Sequence, residues 1–96
     1  MYTKLMLEIS QVAEQDLQTI WNTTASHNPR EASKLVQKLA YKIFTLEYLA
    51  HQYQELSPSQ PSGDRYRQLE CDGHRILFQL QQQHVQILRI LSESTA

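Results

Sequence analysis

The sequence predicts a two-layer α+β domain, a helical hairpin packed on one face of a small, mainly antiparallel sheet, in the order β-α-α-β-β-β. Three observations carry that expectation. Residues 65–91 fall into three extended runs, 65–71, 74–81 and 84–91, broken by Asp72-Gly73 and by a glutamine turn at Gln81-Gln82-Gln83. Asp-Gly between apolar runs signals a two-residue hairpin, because a type I′ turn needs positive φ at both central residues. Residues 11–51 carry apolar positions at helical spacing, interrupted once near His27, and residues 3–9 alternate as a half-buried strand does.

Within the first strand, Leu5, Leu7 and Ile9 share one face and Lys4, Met6 and Glu8 the other. Ser10 is placed to cap a helix over 11–25, whose apolar positions are Ala13, Leu17, Ile20, Trp21 and Ala25. Asn28-Pro29-Arg30-Glu31 then reads as a second helix start: Asn28 caps, Pro29 takes the first helical position, and Glu31 stands where a capping box has its acid. That helix extends to about His51 along the stripe Ala32, Leu35, Val36, Leu39, Ile43, Leu46 and Ala50. Burial is expected for Trp21, Leu39, Ile43 and Phe78. Residues 52–64, with Ser57-Pro58, Pro61 and Gly63, read as a loop. In the middle strand of the meander, Ile76, Phe78 and Leu80 face the helices, and Arg75, Leu77 and Gln79 face the open side. The glutamine turn is poor turn chemistry, so the second connection depends on the runs that flank it.

Ninety-six residues make one domain with a single modest core. An apolar share of 41% with 20% charged residues argues against disorder. No run approaches the roughly 20 apolar residues of a membrane span, and no secretory signal is visible. One cysteine, Cys71, excludes an internal disulfide framework and fits a reducing cytoplasm. The net charge of −1 gives no global pull toward nucleic acid, so no direct DNA binding is expected. Its distribution is uneven, because residues 65–91 hold Arg65, Arg67, Arg75 and Arg89 against Glu70 and Asp72, a net of +2.

The candidate chemistry is sparse. His27, His51, His74 and His84 lack the pairing and cysteine companions of a zinc site, so neither metal nor cofactor is expected. Cys71 has no evident base or helix start beside it, and neither a glycine-rich phosphate loop nor a nucleophile elbow occurs. Lys34, Lys38 and Lys42 form one row on the second helix, which serves either as solvated surface or as a docking site. Arg75 is the sharpest residue, since an arginine within an apolar strand must be paired or solvated. It either pairs across the strand, with Glu70 or a neighbour, or builds a basic face for phosphate or carboxylate groups, with Tyr66 and His74 near it.

Leu7-Glu8-Ile9-Ser10, Ala13-Glu14-Gln15-Asp16-Leu17, Ile20-Trp21, Asn28-Pro29 with Ala32, Arg67-Gln68-Leu69, Gly73-His74-Arg75-Ile76-Leu77-Phe78 and Val85–Leu91 occur in this order. Together they make the chain resemble the RelE/ParE superfamily of type II toxin–antitoxin toxins over nearly its full length, and the ParE branch most. The resemblance implies a small cytoplasmic toxin, of the kind linked to plasmid stabilisation, neutralised by a cognate antitoxin. ParE-like members bind DNA gyrase, and RelE-like members cut ribosome-bound messenger. Partner binding is expected at Arg67, Arg75, Arg89, Leu35, Lys38 and Lys42; a ribonuclease would instead use Arg75, which falls on the family's arginine of the middle strand, with Arg67, Tyr66 and His74. The lysines of ribonuclease members are replaced around Tyr66 and Gln68, and the tail after Leu91, Ser-Glu-Ser-Thr-Ala, lacks their basic residues. A stoichiometric gyrase inhibitor is therefore expected. A RelE-type endoribonuclease, a non-toxic member that only binds its antitoxin, and an unrelated small α+β binding domain remain as alternatives.

Overall fold

The computed structural model describes residues 4–53, 55 and 66–93. β1 (Met6–Ile9), α1 (Gln11–Ala25), α2 (Pro29–Leu49), β2 (Arg67–Cys71), β3 (His74–Gln81) and β4 (His84–Ser92) follow one another, with one 3-10 turn, Ala50–Gln52, after α2. The order is the expected one. The strands form a single sheet, β1-β4-β3-β2, with β1 parallel to β4 and the other pairs antiparallel. The helical hairpin is thus the long crossover that carries the chain from one edge of the sheet to the other.

Local chemistry fixes the helix starts. The Ser10 hydroxyl accepts the Ala13 N–H and donates to the Leu88 carbonyl, tying the head of α1 to β4, both at 3.0 Å. Asn28 Oδ1 accepts the N–H groups of Arg30 and Glu31 at 3.1 and 3.2 Å. Glu31 does not complete a capping box. The Asn28 N–H is already spent on the Thr24 carbonyl across the short link, and Glu31 lies 3.7 Å from Lys34 instead.

Four boundaries move, and one is that of β2, which starts at Arg67 with Tyr66 outside the strand. β1 starts at Met6 because the Leu5 N–H donates to the Glu47 carbonyl of α2, not to a strand. α2 ends at Leu49, and Ala50 to Gln52 tighten into the 3-10 turn. β4 runs one residue further, to Ser92. The expected strand positions Thr3 and Arg65, the bulk of the 52–64 loop, and the residues after Glu93 lie outside the described residues.

Asp72 and Gly73 take φ of 49° and 74°, the left-handed pair that the hairpin signal requires. At the glutamine turn only Gln82 is left-handed, with φ of 54°. Between Leu77 and Phe78 the pairing with β4 slips, from Leu77–Arg89 to Phe78–Ile87, so Leu88 is an extra residue. That bulge turns both Ile87 and Ile90 inward although they stand three apart.

The core lies between sheet and helices: Ala13, Leu39, Ile43, Leu46 and Ala50 meet Leu69, Ile76, Phe78, Val85, Ile87 and Ile90. Tyr53 packs edge-on against Phe78, ring centres 6.0 Å apart at 89°. Leu39, Ile43 and Phe78 are buried as expected, but Trp21 is not; it stands 38% exposed. Consecutive helical positions diverge by about 100°, so Ile20 and Trp21 cannot both face the core, and Ile20 does. Trp21 lines a shallow groove with Glu14, Leu17, Gln18 and Val36.

Candidate functional site

The sheet has a covered side and an open one, and strand alternation sorts the candidate residues between them. Arg67 lies opposite Phe78 and in line with buried Leu69, so it points to the helix side. Its guanidinium donates to the Tyr53 carbonyl at 2.7 Å and reaches Glu55 at 3.2 Å, and its side chain is only 17% exposed. Arg67 therefore fastens the segment after α2 onto β2. His74, opposite Cys71, shares that side, with Nδ1 2.9 Å from the Asp72 carbonyl. Arg67 and His74 sit at opposite ends of the β2–β3 pairing, four residues or ~13 Å apart along the strand. Tyr66 is half-buried immediately before β2.

Arg75 points to the open side, as its alternation requires. It stands opposite Glu70 in the register, yet its ion pair is with Glu93, at 3.9 Å. Around it the open side carries Leu77, Leu91, Gln79, Gln68 and Gln86, and Leu91 is its direct partner on β4.

Arg89 stands opposite Leu77, diagonal to Arg75 across the β3–β4 pairing, but its guanidinium is held by α1. Asp16 of α1 takes its Nε at 2.8 Å and its Nη2 at 3.2 Å, and the same carboxylate accepts the Ile90 N–H at 2.9 Å. Partial burial alone would raise the Asp16 pKa, but the hydrogen bonds from Arg89 and Ile90, with the Arg89 charge, outweigh it and hold the pKa below its ordinary value. The Arg89 pKa is raised by the same hydrogen bond and charge. β1 pairs with β4 only as far as Ile87, so this carboxylate satisfies backbone that the edge strand leaves uncovered. Of the three arginines expected to share a basic surface, Arg67 lies on the helix side, and Arg89, though next to Arg75 in the register, is tied to Asp16.

On the other side of α2, Lys38 and Lys42 join Lys34, Gln37, Tyr41, Cys71 and Asp72 around a groove of about 440 Å³. Lys38 pairs with Asp72 at 3.1 Å. Leu35 is half-buried against the core. Burial and then the Asp72 charge push the Cys71 thiol above its usual pKa, against the opposing pull of Lys42 and Lys38. Sequence reading missed the contributions of Tyr53, Asp16 and Glu55. It also passed over the exposed aromatics of α2, which were readable as Tyr41, Phe44 and Tyr48 at helical spacing. No cluster of three or more His, Cys, Asp or Glu able to hold a metal occurs among the described residues. Among them, no helix is long and apolar enough to cross a membrane.

The family model described as the ParE toxin of type II toxin–antitoxin system, parDE, matches residues 7–96. A structure of the chromosomal ParDE toxin–antitoxin system from P. aeruginosa is similar with a TM-score of 0.73 at 28% identity, covering 93% of this chain and 96% of that one. The RelBE2 toxin–antitoxin complex from Mycobacterium tuberculosis shares the fold, with a TM-score of 0.62 at 15% identity over 94% of this chain and 99% of that one. So does a conserved hypothetical protein from Helicobacter pylori, with a TM-score of 0.56 at 15% identity over 94% and 96%. No curated protein matches the chain.

Proposed function

Since this chain belongs to the family of ParE toxins of type II toxin–antitoxin systems, we propose that it is a stoichiometric inhibitor of DNA gyrase, held inactive by a cognate antitoxin. Gyrase is the target that the ParE-like resemblance implies. The observation that carries the stoichiometric reading is the engagement of Arg67 and Arg89 within the domain. Phosphodiester cleavage needs a base, an acid and a cation converging on one phosphate. Here Arg67 is engaged by Tyr53 and Glu55 and Arg89 by Asp16, while His74 lies on the opposite side of the sheet from Arg75. Arg75, among Leu77 and the glutamines, is suited to a protein partner: its guanidinium can grip a carboxylate bidentately while the amides and Leu77 make contact around it.

The test is a ribosome-programmed messenger assay with the purified chain. No cleavage above background is expected. Site-specific cleavage at the A site, abolished by Arg75→Ala, would make this an endoribonuclease and overturn the proposal.

A further inference from the structure

A helix lying on a protein surface ordinarily turns a polar side to solvent. The outer side of α2 has polar residues such as Lys34, Gln37 and Lys38, but it also carries three large exposed rings. Tyr41, Phe44 and Tyr48, at i, i+3 and i+7, stand 68%, 56% and 47% exposed, while the opposite side of the same helix buries Ala32, Leu39, Ile43 and Leu46. The three rings make a strip on the order of 10 Å long at the helical rise. Exposed apolar strips rimmed by charge mark interfaces, and Tyr and Phe are enriched there.

The rim is basic on one flank. Lys34, Lys38 and Lys42 rise along α2 beside Tyr41 and overlook the groove closed by Cys71 and Asp72. Lys34 is matched by Glu31 and Lys38 by Asp72, while Lys42 makes no ion pair among the described residues. This row lies on the covered side's helix layer, away from Arg75 on the open side of the sheet.

We propose that the outer side of α2 docks an acidic amphipathic segment of the antitoxin, with apolar side chains on Tyr41, Phe44 and Tyr48 and carboxylates along Lys34, Lys38 and Lys42. The inference rests on the toxin–antitoxin reading and adds where that partner sits. It also leaves the Arg75 side of the sheet uncovered by this segment. A second copy of the chain is a poorer occupant. Two such helices packed antiparallel about a two-fold axis set each flank against its own copy, so the lysine rows would repel.

The experiment is calorimetric titration of the full chain with the product of the adjoining antitoxin reading frame, together with light scattering of each variant. Phe44→Glu with Tyr48→Glu is expected to weaken binding roughly 30-fold or more, as loss of an interface hot spot does. Lys38→Glu with Lys42→Glu is expected to weaken it roughly tenfold, and more at low ionic strength. Val12→Glu, the same change at an exposed apolar position of α1, is expected to leave it unchanged. A readout free of variants is the alkylation of Cys71, which lines the groove and is expected to slow in the saturated complex.

Unchanged affinity in both double variants, or unchanged Cys71 alkylation in the complex, overturns the site while leaving the toxin–antitoxin reading intact. No binding by the unaltered chain overturns that reading and this inference together. A dimer that the aromatic variants dissociate assigns the strip to self-association and overturns the proposal. So does a single-stranded RNA oligonucleotide whose binding the lysine variants abolish while antitoxin binding persists.

Discussion

The Asp16 carboxylate binds the Arg89 guanidinium through two hydrogen bonds and, through Oδ2, also accepts the N–H of Ile90. One acid on α1 thereby joins the helix layer to the part of β4 that β1 does not reach. The Asp16 side chain is only 16% exposed. Asp16→Asn is expected to cost about 1–2 kcal/mol at neutral pH, the loss of a charge-assisted hydrogen bond. The folded-state pKa of Asp16 lies below its ordinary 3.8. Its contribution is therefore fully present above that value and disappears as pH falls through the lower folded one. Urea unfolding of both proteins should show a gap that is constant near neutrality and narrows in acid below about pH 4. A gap that persists unchanged at pH 2 would contradict this role.

The two hairpin turns respond oppositely to glycine. Gln82 is left-handed without being glycine, so Gln82→Gly is expected to raise stability by about 0.5–1 kcal/mol. Gly73→Ala is expected to lower it by about 1 kcal/mol through backbone conformation alone, because the added Cβ meets nothing within 4 Å. Thermal melts of both variants check the pair, and a destabilised Gln82→Gly would show that the turn is not strained.

Cys71 should be a sluggish thiol. The thiolate is the reactive form, and burial with the Asp72 charge disfavours it. Reaction with a disulfide reagent at pH 7 is expected to be slower than for free cysteine, and Asp72→Asn is expected to speed it. An unaltered rate in that variant would remove Asp72 as a cause.

Phe78 has no exposed surface and carries the Tyr53 ring contact. Phe78→Ala is expected to cost about 3–5 kcal/mol, enough to unfold a domain of this size at moderate temperature. Circular dichroism would show it, and a fully folded variant at 37 °C would contradict the placement of the core.

Periodicity and turn chemistry made most of the fold legible. The limits of α1 and of β3 are as the sequence predicts, because Ser10 and Asp72-Gly73 carry their signals in the chain itself. The shorter β1 was not legible, since it depends on the Leu5 N–H finding Glu47 forty-odd positions away. Trp21 shows the limit of stripe reading: spacing admits both Ile20 and Trp21, and only packing decides between them. The site was less legible still. Arg89 and Asp16 are 73 positions apart and Arg67 and Glu55 are 12 apart, so a count of arginines on the hairpin could not reveal these pairs, nor that Arg75 turns to Glu93.

The measurement that tests the functional account most directly is plasmid supercoiling by purified gyrase, titrated with this chain. Inhibition is expected to saturate near a stoichiometric ratio of chain to gyrase, to weaken with Arg75→Ala, and to be reversed by adding the antitoxin. Undiminished supercoiling in the presence of a large molar excess of the folded chain would contradict it.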